Sequence, residues 1–61
     1  MTVFLNYEFM DEDCEHEKEF ENVDSAKSWL KGHREEDFNF VEMVAECGSV
    51  IAETYSEIVE F

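Results

Sequence analysis

The chain has 61 residues, with 17 Asp plus Glu against 4 Lys plus Arg and a formal net charge of −13. A chain of this length holds one small core and buries roughly 60% of its unfolded surface, which excludes an active-site cleft between domains. Its 44% hydrophobic and 15% aromatic content is too high for a disordered acidic tail, so residues 1–61 read as one folded acidic domain.

Thr2 to Met10 alternates, with Val3, Leu5, Tyr7 and Phe9 on one side and Phe4, Asn6, Glu8 and Met10 on the other, the period of a strand. Asp11 to Glu15 is too charged to bury and reads as a hairpin connection, with a second strand over about His16 to Asn22. Asp24 or Ser25 can cap a helix over about Ser25 to Arg34, where Ala26, Trp29, Leu30 and His33 form one apolar stripe at i, i+3, i+4 and i+7. Gly32 marks where that helix frays. Lys27, Lys31 and Arg34 form its solvent side.

Phe38 to Cys47 alternates again, setting Val41, Met43, Ala45 and Cys47 opposite Phe38, Phe40, Glu42, Val44 and Glu46. Gly48 supplies a turn. Ser49 to Phe61, rich in Val, Ile, Thr and Tyr, reads as a closing antiparallel strand with a bulge near Thr54 to Glu57. The order ββαββ predicts an α+β fold, with one helix packed on a largely antiparallel four-stranded sheet.

A ten-residue helix covers only one face of such a sheet. The other face would carry Phe4, Phe40, Val44 and some of Ile51, Tyr55 and Val59 among Glu8, Glu42, Glu46, Glu53 and Glu57. Contiguous exposed apolar groups on a small protein mark interaction sites, so a homodimer contact or a partner protein is expected there. The competing expectation is a different strand register that places these residues in the core.

Cys14 and Cys47 are too few for the disulfide framework of a small secreted domain and read as free thiols of a reducing cytoplasm. The acidic neighbours of Cys14 should raise its pKa. No basic leader or membrane-length apolar run is present, which adds to the expectation of a soluble cytoplasmic protein. Asp11-x-Asp13-x-Glu15 resembles the start of a calcium loop, but His16 and Asn22 stand where such a loop needs Gly and Glu. Cys14 and His16 offer two zinc ligands where a structural site takes four. No motif for nucleophilic catalysis occurs, and His33 falls on the apolar stripe. The sequence therefore predicts no enzyme, no catalytic residue, no metal and no cofactor.

Glu8 to Asp24 contains nine acidic residues and one basic residue, Lys18. Within it Glu15, Glu17, Glu19 and Glu21 alternate, so a strand would aim all four the same way at intervals of about 6.6–6.8 Å. Duplex DNA carries a phosphate about every 3.4 Å on each strand, so such a row matches alternate phosphates. A solvated edge strand protected from aggregation has the same composition. The negative field extends further through Glu35, Glu36, Asp37, Glu42, Glu46, Glu53, Glu57 and Glu60.

In size and charge the whole chain resembles the small acidic DNA-mimic proteins of bacteriophages and mobile elements, which block uracil-DNA glycosylase, restriction enzymes, nucleoid proteins, RNA polymerase or CRISPR nucleases. That resemblance implies a mechanism rather than an alignment. Carboxylates replace phosphates while apolar groups dock alongside, the candidates being Glu15, Glu17, Glu19 and Glu21 with Phe4, Phe40 and Tyr55. It implies a non-enzymatic inhibitor, in a host bacterial cytoplasm if phage-encoded, whose partner is a basic nucleic-acid-binding protein. Net charge of this sign disfavours direct contact with nucleic acid or anionic lipid. The alternative is a small interaction module or regulatory subunit that uses the open sheet face without mimicry.

Overall fold

The computed structural model describes residues 1–61. Strands β1 (Val3–Phe9), β2 (His16–Phe20), β3 (Phe38–Ala45) and β4 (Val50–Ala52) form one sheet in the order β2-β1-β3-β4. All neighbours pair antiparallel. Helix α1 (Val23–Lys31) follows β2, a 3-10 turn at Glu35–Asp37 leads into β3, and a short helix α2 (Tyr55–Val59) follows β4. The fold is α+β, as the order of patterns predicts. No helix is long and apolar enough to cross a membrane.

Alternation in β1 puts Val3, Leu5 and Tyr7 in the core and leaves Phe4, Asn6 and Glu8 half-buried on the far side. Val41 and Met43 of β3 join the core from the neighbouring strand, and Ala26 and Leu30 of α1 close over them. All eleven buried residues are apolar or aromatic, so no charged side chain is held in the low-dielectric interior. Around Tyr7 the rings of Phe9, His16, Trp29 and Phe38 pack edge-on, stacked or tilted, with centroids 5.0–6.0 Å away. His33 lies just past the end of α1, its ring 4.6 Å from that of Trp29.

Helix α1 starts two residues before the expected Ser25, because Asn22 is the cap: its Oδ1 accepts from the Ser25 backbone N–H at 2.8 Å. The second strand correspondingly stops at Phe20, short of Asn22. Lys31 ends the helix, and the Gly32 N–H bonds to the Trp29 carbonyl.

The sequence pattern misplaces Phe38. The pairs Glu8↔Phe40 and Phe9↔Phe38 leave Asn39 unmatched, and this bulge turns Phe38 into the core while Phe40 stays on the far face. Asn39 holds the bulge by donating from Nδ2 to Glu8 Oε1 at 2.8 Å.

The expected closing strand over Ser49 to Phe61 is wrong beyond Ala52. Strand β4 has three residues, and its irregularity lies at Ile51, between the pairs Met43↔Ala52 and Val44↔Val50, rather than near Thr54. Thr54 then caps α2, its Oγ1 accepting from the Glu57 N–H at 3.1 Å. Ile58 is fully buried, and Tyr55 and Val59 pack against the core at helical spacing around it. Three apolar residues at i, i+3 and i+4 behind a Thr-x-x-Glu cap satisfy a helix more fully than an interrupted alternation satisfies a strand. Gly48, at φ 95°, makes the turn between β3 and β4.

Candidate functional site

The two helices and the core lie on one side of the sheet, and the candidate interaction face is the other. Register fixes its composition, because residues paired directly across an antiparallel ladder share a face. Glu19 pairs with Phe4, and Phe4 with Val44, which in turn pairs with Val50. One row across the sheet therefore runs Glu19, Phe4, Val44, Val50. The next runs Glu17, Asn6, Glu42, and the last pairs Glu8 with Phe40. Asn6 Nδ2 donates to Glu42 Oε1 at 3.3 Å across this surface. Glu15, just before β2, joins Asn6, Glu17, Phe40 and Glu42 around a shallow concavity. Phe40 is 37% exposed and Val50 48%.

Carboxylates thus stand as one short row and two separate positions, Glu8 and Glu42. Glu17 and Glu19 lie on the β2 edge with Glu15 at their end, while Glu42 is two strands away, about 9.5 Å at the usual strand spacing. Phe4, Phe40 and Val44 lie between and beside them.

None of the four Lys and Arg residues shares this face. Lys18 pairs with the buried Leu5, so it points to the helix side, and its Nζ lies 5.8 Å from the centre of the Phe20 ring. Lys27 and Lys31 belong to α1, and Arg34 precedes the 3-10 turn, where it pairs loosely with Glu36 at 3.8 Å.

Of the residues singled out from the sequence, Glu15, Glu17, Glu19, Phe4 and Phe40 come together here. Glu21 lies past the end of β2, in the bend before α1. Tyr55 does not join them. It sits at the start of α2, on the core side, where its hydroxyl bonds to carbonyls at the end of α1. Ile51 and Val59, also expected on the open face, pack against the core.

Glu42 and Asn6 lie on the side the alternation predicts, although neither was among the residues expected to contact a partner. Their positions in the alternating patterns of β1 and β3 are the signal that places them.

A second cluster lies at the tip of the β1–β2 hairpin. His16 Nε2 is 3.1 Å from Glu12 Oε2, Cys14 Sγ is 3.6 Å from the same oxygen, and Sγ and Nε2 are 3.7 Å apart. The His16 ring stacks on Tyr7, with centroids 5.3 Å apart and planes at 25°. Partial desolvation, a hydrogen bond to Glu12 and the charges of Glu12, Glu8 and Asp13 push the Cys14 thiol above its ordinary pKa, the direction the acidic sequence predicts. Burial, followed by the charge of Glu12, raises Tyr7. Cys47, also free and exposed, shifts the opposite way because hydrogen bonds from the Ser49 hydroxyl and backbone favour its thiolate.

No family model, no curated protein and no solved structure matches the chain.

Proposed function

We propose that this chain is a non-enzymatic acidic protein that inhibits a nucleic-acid-binding protein by laying its helix-free sheet face on the partner's basic groove, as a DNA mimic does. The observation that carries this reading is the segregation of charge. Glu8, Glu17, Glu19 and Glu42 share the face with no Lys or Arg, while every basic residue lies elsewhere.

A short row of carboxylates at the β2 edge, with Glu42 two strands away and apolar groups between and beside them, offers a cationic groove what a nucleic-acid backbone offers: spaced anions on a flat surface. Alternate residues on β2 stand about 6.6–6.8 Å apart, close to the spacing of every second phosphate. Phe40 and Phe4 add contact area that an anion row alone lacks. A face-to-face homodimer would bring together two faces of the same negative sign, which favours a basic partner over a second copy. A bacterial DNA-binding protein as partner would put the site of action in the host cytoplasm.

The test immobilises the chain, passes bacterial lysate over it at low salt, and elutes with duplex DNA in one arm and with salt in the other. Retained DNA-binding proteins released by both eluents support mimicry. Partners indifferent to both overturn it and leave an interaction module that binds through Phe40 and Val50.

A further inference from the structure

We propose that Glu12, Cys14 and His16 form an open three-donor site for a thiophilic divalent cation, with Zn2+ as the fitting ion, at the tip of the β1–β2 hairpin. The sequence alone offers Cys14 and His16, and the fold adds Glu12 by folding the hairpin connection back, with the Glu12 N–H bonded to the Phe9 carbonyl at 3.1 Å.

The donor separations are those of a metal's coordination shell. With Zn–N and Zn–O bonds of about 2.0–2.1 Å and Zn–S of about 2.3 Å, tetrahedral angles set the edges at about 3.3 Å for N–O, about 3.5 Å for S–O and about 3.6 Å for S–N. The corresponding distances are 3.1, 3.6 and 3.7 Å. One ion therefore fits between the three atoms with movements of a few tenths of an ångström or less. No other group of three His, Cys or acidic donors gathers this closely, although the chain has 17 carboxylates.

One of the three donors, His16, is held by packing, while Glu12 and Cys14 are exposed. Stacking on Tyr7 fixes the His16 ring, and Phe9 packs against it at 5.9 Å, so Nε2 faces Glu12 and Cys14 without reorganisation. Sulfur and imidazole donors favour zinc over calcium or magnesium, which take oxygen shells. Glu8 and Asp13, whose charges reach Cys14, add to a negative field that concentrates cations there. On binding, the S–H bond of Cys14 breaks and its proton goes to water. The sulfur lone pair forms the metal bond, and nothing is oxidised or reduced. Three protein donors leave a fourth position for water or for a donor from another molecule.

This inference is independent of the proposed mimicry. The experiment titrates the reduced chain, kept in a non-thiol reductant, with Co2+ as a spectroscopic probe and then with Zn2+ against a chromophoric chelator. One equivalent of Co2+ should give a near-ultraviolet sulfur-to-metal charge-transfer band that Zn2+ abolishes. Cys14→Ser should remove the band and weaken Zn2+ about tenfold or more, His16→Asn should weaken Zn2+ to a similar degree, and Cys47→Ser should change neither. The band in the unmodified chain reads sulfur ligation without relying on any variant. Absence of the band, or Zn2+ affinity equal in the unmodified chain, Cys14→Ser and His16→Asn, would overturn the site and reduce it to a hydrogen-bonded triad in an acidic field.

Discussion

The Tyr55 hydroxyl donates a 2.9 Å hydrogen bond to the carbonyl of His33, and Leu30 O lies 3.4 Å from the same hydroxyl. A side chain of α2 thereby bonds to the turn that ends α1, where the Leu30 carbonyl also accepts the His33 N–H. The short C-terminal helix is tied to the long one by this contact as well as by the burial of Ile58. Tyr55→Phe should cost about 1 kcal/mol through the lost bond. Tyr55→Ser, which also empties the space of a ring packed against the core, should cost about 2–4 kcal/mol. Phe40→Ser, on the open face, should stay within about 1 kcal/mol of the parent because its ring is already partly in water. Urea unfolding followed by circular dichroism ranks the three, and equal losses at positions 40 and 55 would contradict the two-sided sheet.

Salt should stabilise the fold. Among Lys and Arg side chains, only Arg34 makes an ion pair, a long exposed one to Glu36, so the net charge of −13 is largely unneutralised. Self-repulsion opposes compaction, and a Debye length of about 8–10 Å at physiological ionic strength shortens its reach. The melting temperature should rise steadily from low to moderate sodium chloride. A flat or falling curve would mean that the carboxylates are too dispersed to repel one another.

Cys47 should be the first thiol alkylated. Hydrogen bonds from the Ser49 hydroxyl and backbone N–H lower its pKa below the ordinary thiol value. A lowered pKa means more thiolate at a given pH, so the rate against pH should reach half-maximum below the midpoint of an unperturbed thiol. Ser49→Ala should move that midpoint upward and slow the reaction at neutral pH. Peptide mapping after brief iodoacetamide treatment identifies the residue, and an unchanged midpoint in Ser49→Ala would assign no role to the hydroxyl.

The parts of this fold that were legible in the sequence are those where one period persists. Alternation through β1 placed Val3, Leu5 and Tyr7 opposite Phe4, Asn6 and Glu8, and the same pattern in β3 separated Val41 and Met43 from Phe40, Glu42 and Val44. A single extra residue defeats such counting. Asn39 reverses the side on which Phe38 lies, and nothing in the local pattern marks a bulge that Glu8, 31 positions away, helps to hold. The C-terminal segment failed for a different reason. Val, Ile, Thr and Tyr favour strands, yet Ile58 has no strand partner to pack beside and a buried place beneath a capped helical turn. Propensity yielded to packing. The Thr54-x-x-Glu57 signature was the available warning. The carboxylate row was visible as spacing, whereas the meeting of Glu12 with Cys14 and His16 depends on how the hairpin connection folds back, which no period encodes.

The carboxylates of the open face should matter by position and not only by number. Glu15→Gln, Glu17→Gln, Glu19→Gln and Glu42→Gln together remove four charges while keeping side-chain shape, from residues of the open face. The matched set is Glu35→Gln, Glu36→Gln, Glu57→Gln and Glu60→Gln, whose positions lie in the 3-10 turn and in or beside α2, outside the sheet. Both sets lower total charge equally, so long-range attraction to a basic partner falls in both, and the association rate should drop by similar factors. Only the first set removes anions that would touch the partner's Lys and Arg side chains. Its dissociation rate should therefore rise as well, by about fivefold or more if each contact contributes even a few tenths of a kcal/mol. Surface-plasmon kinetics against a partner isolated by DNA elution separates the two rates. Equal changes in both sets would point to a diffuse electrostatic contact. An unchanged dissociation rate in the first set, with binding insensitive to salt and to competing duplex DNA, would exclude mimicry.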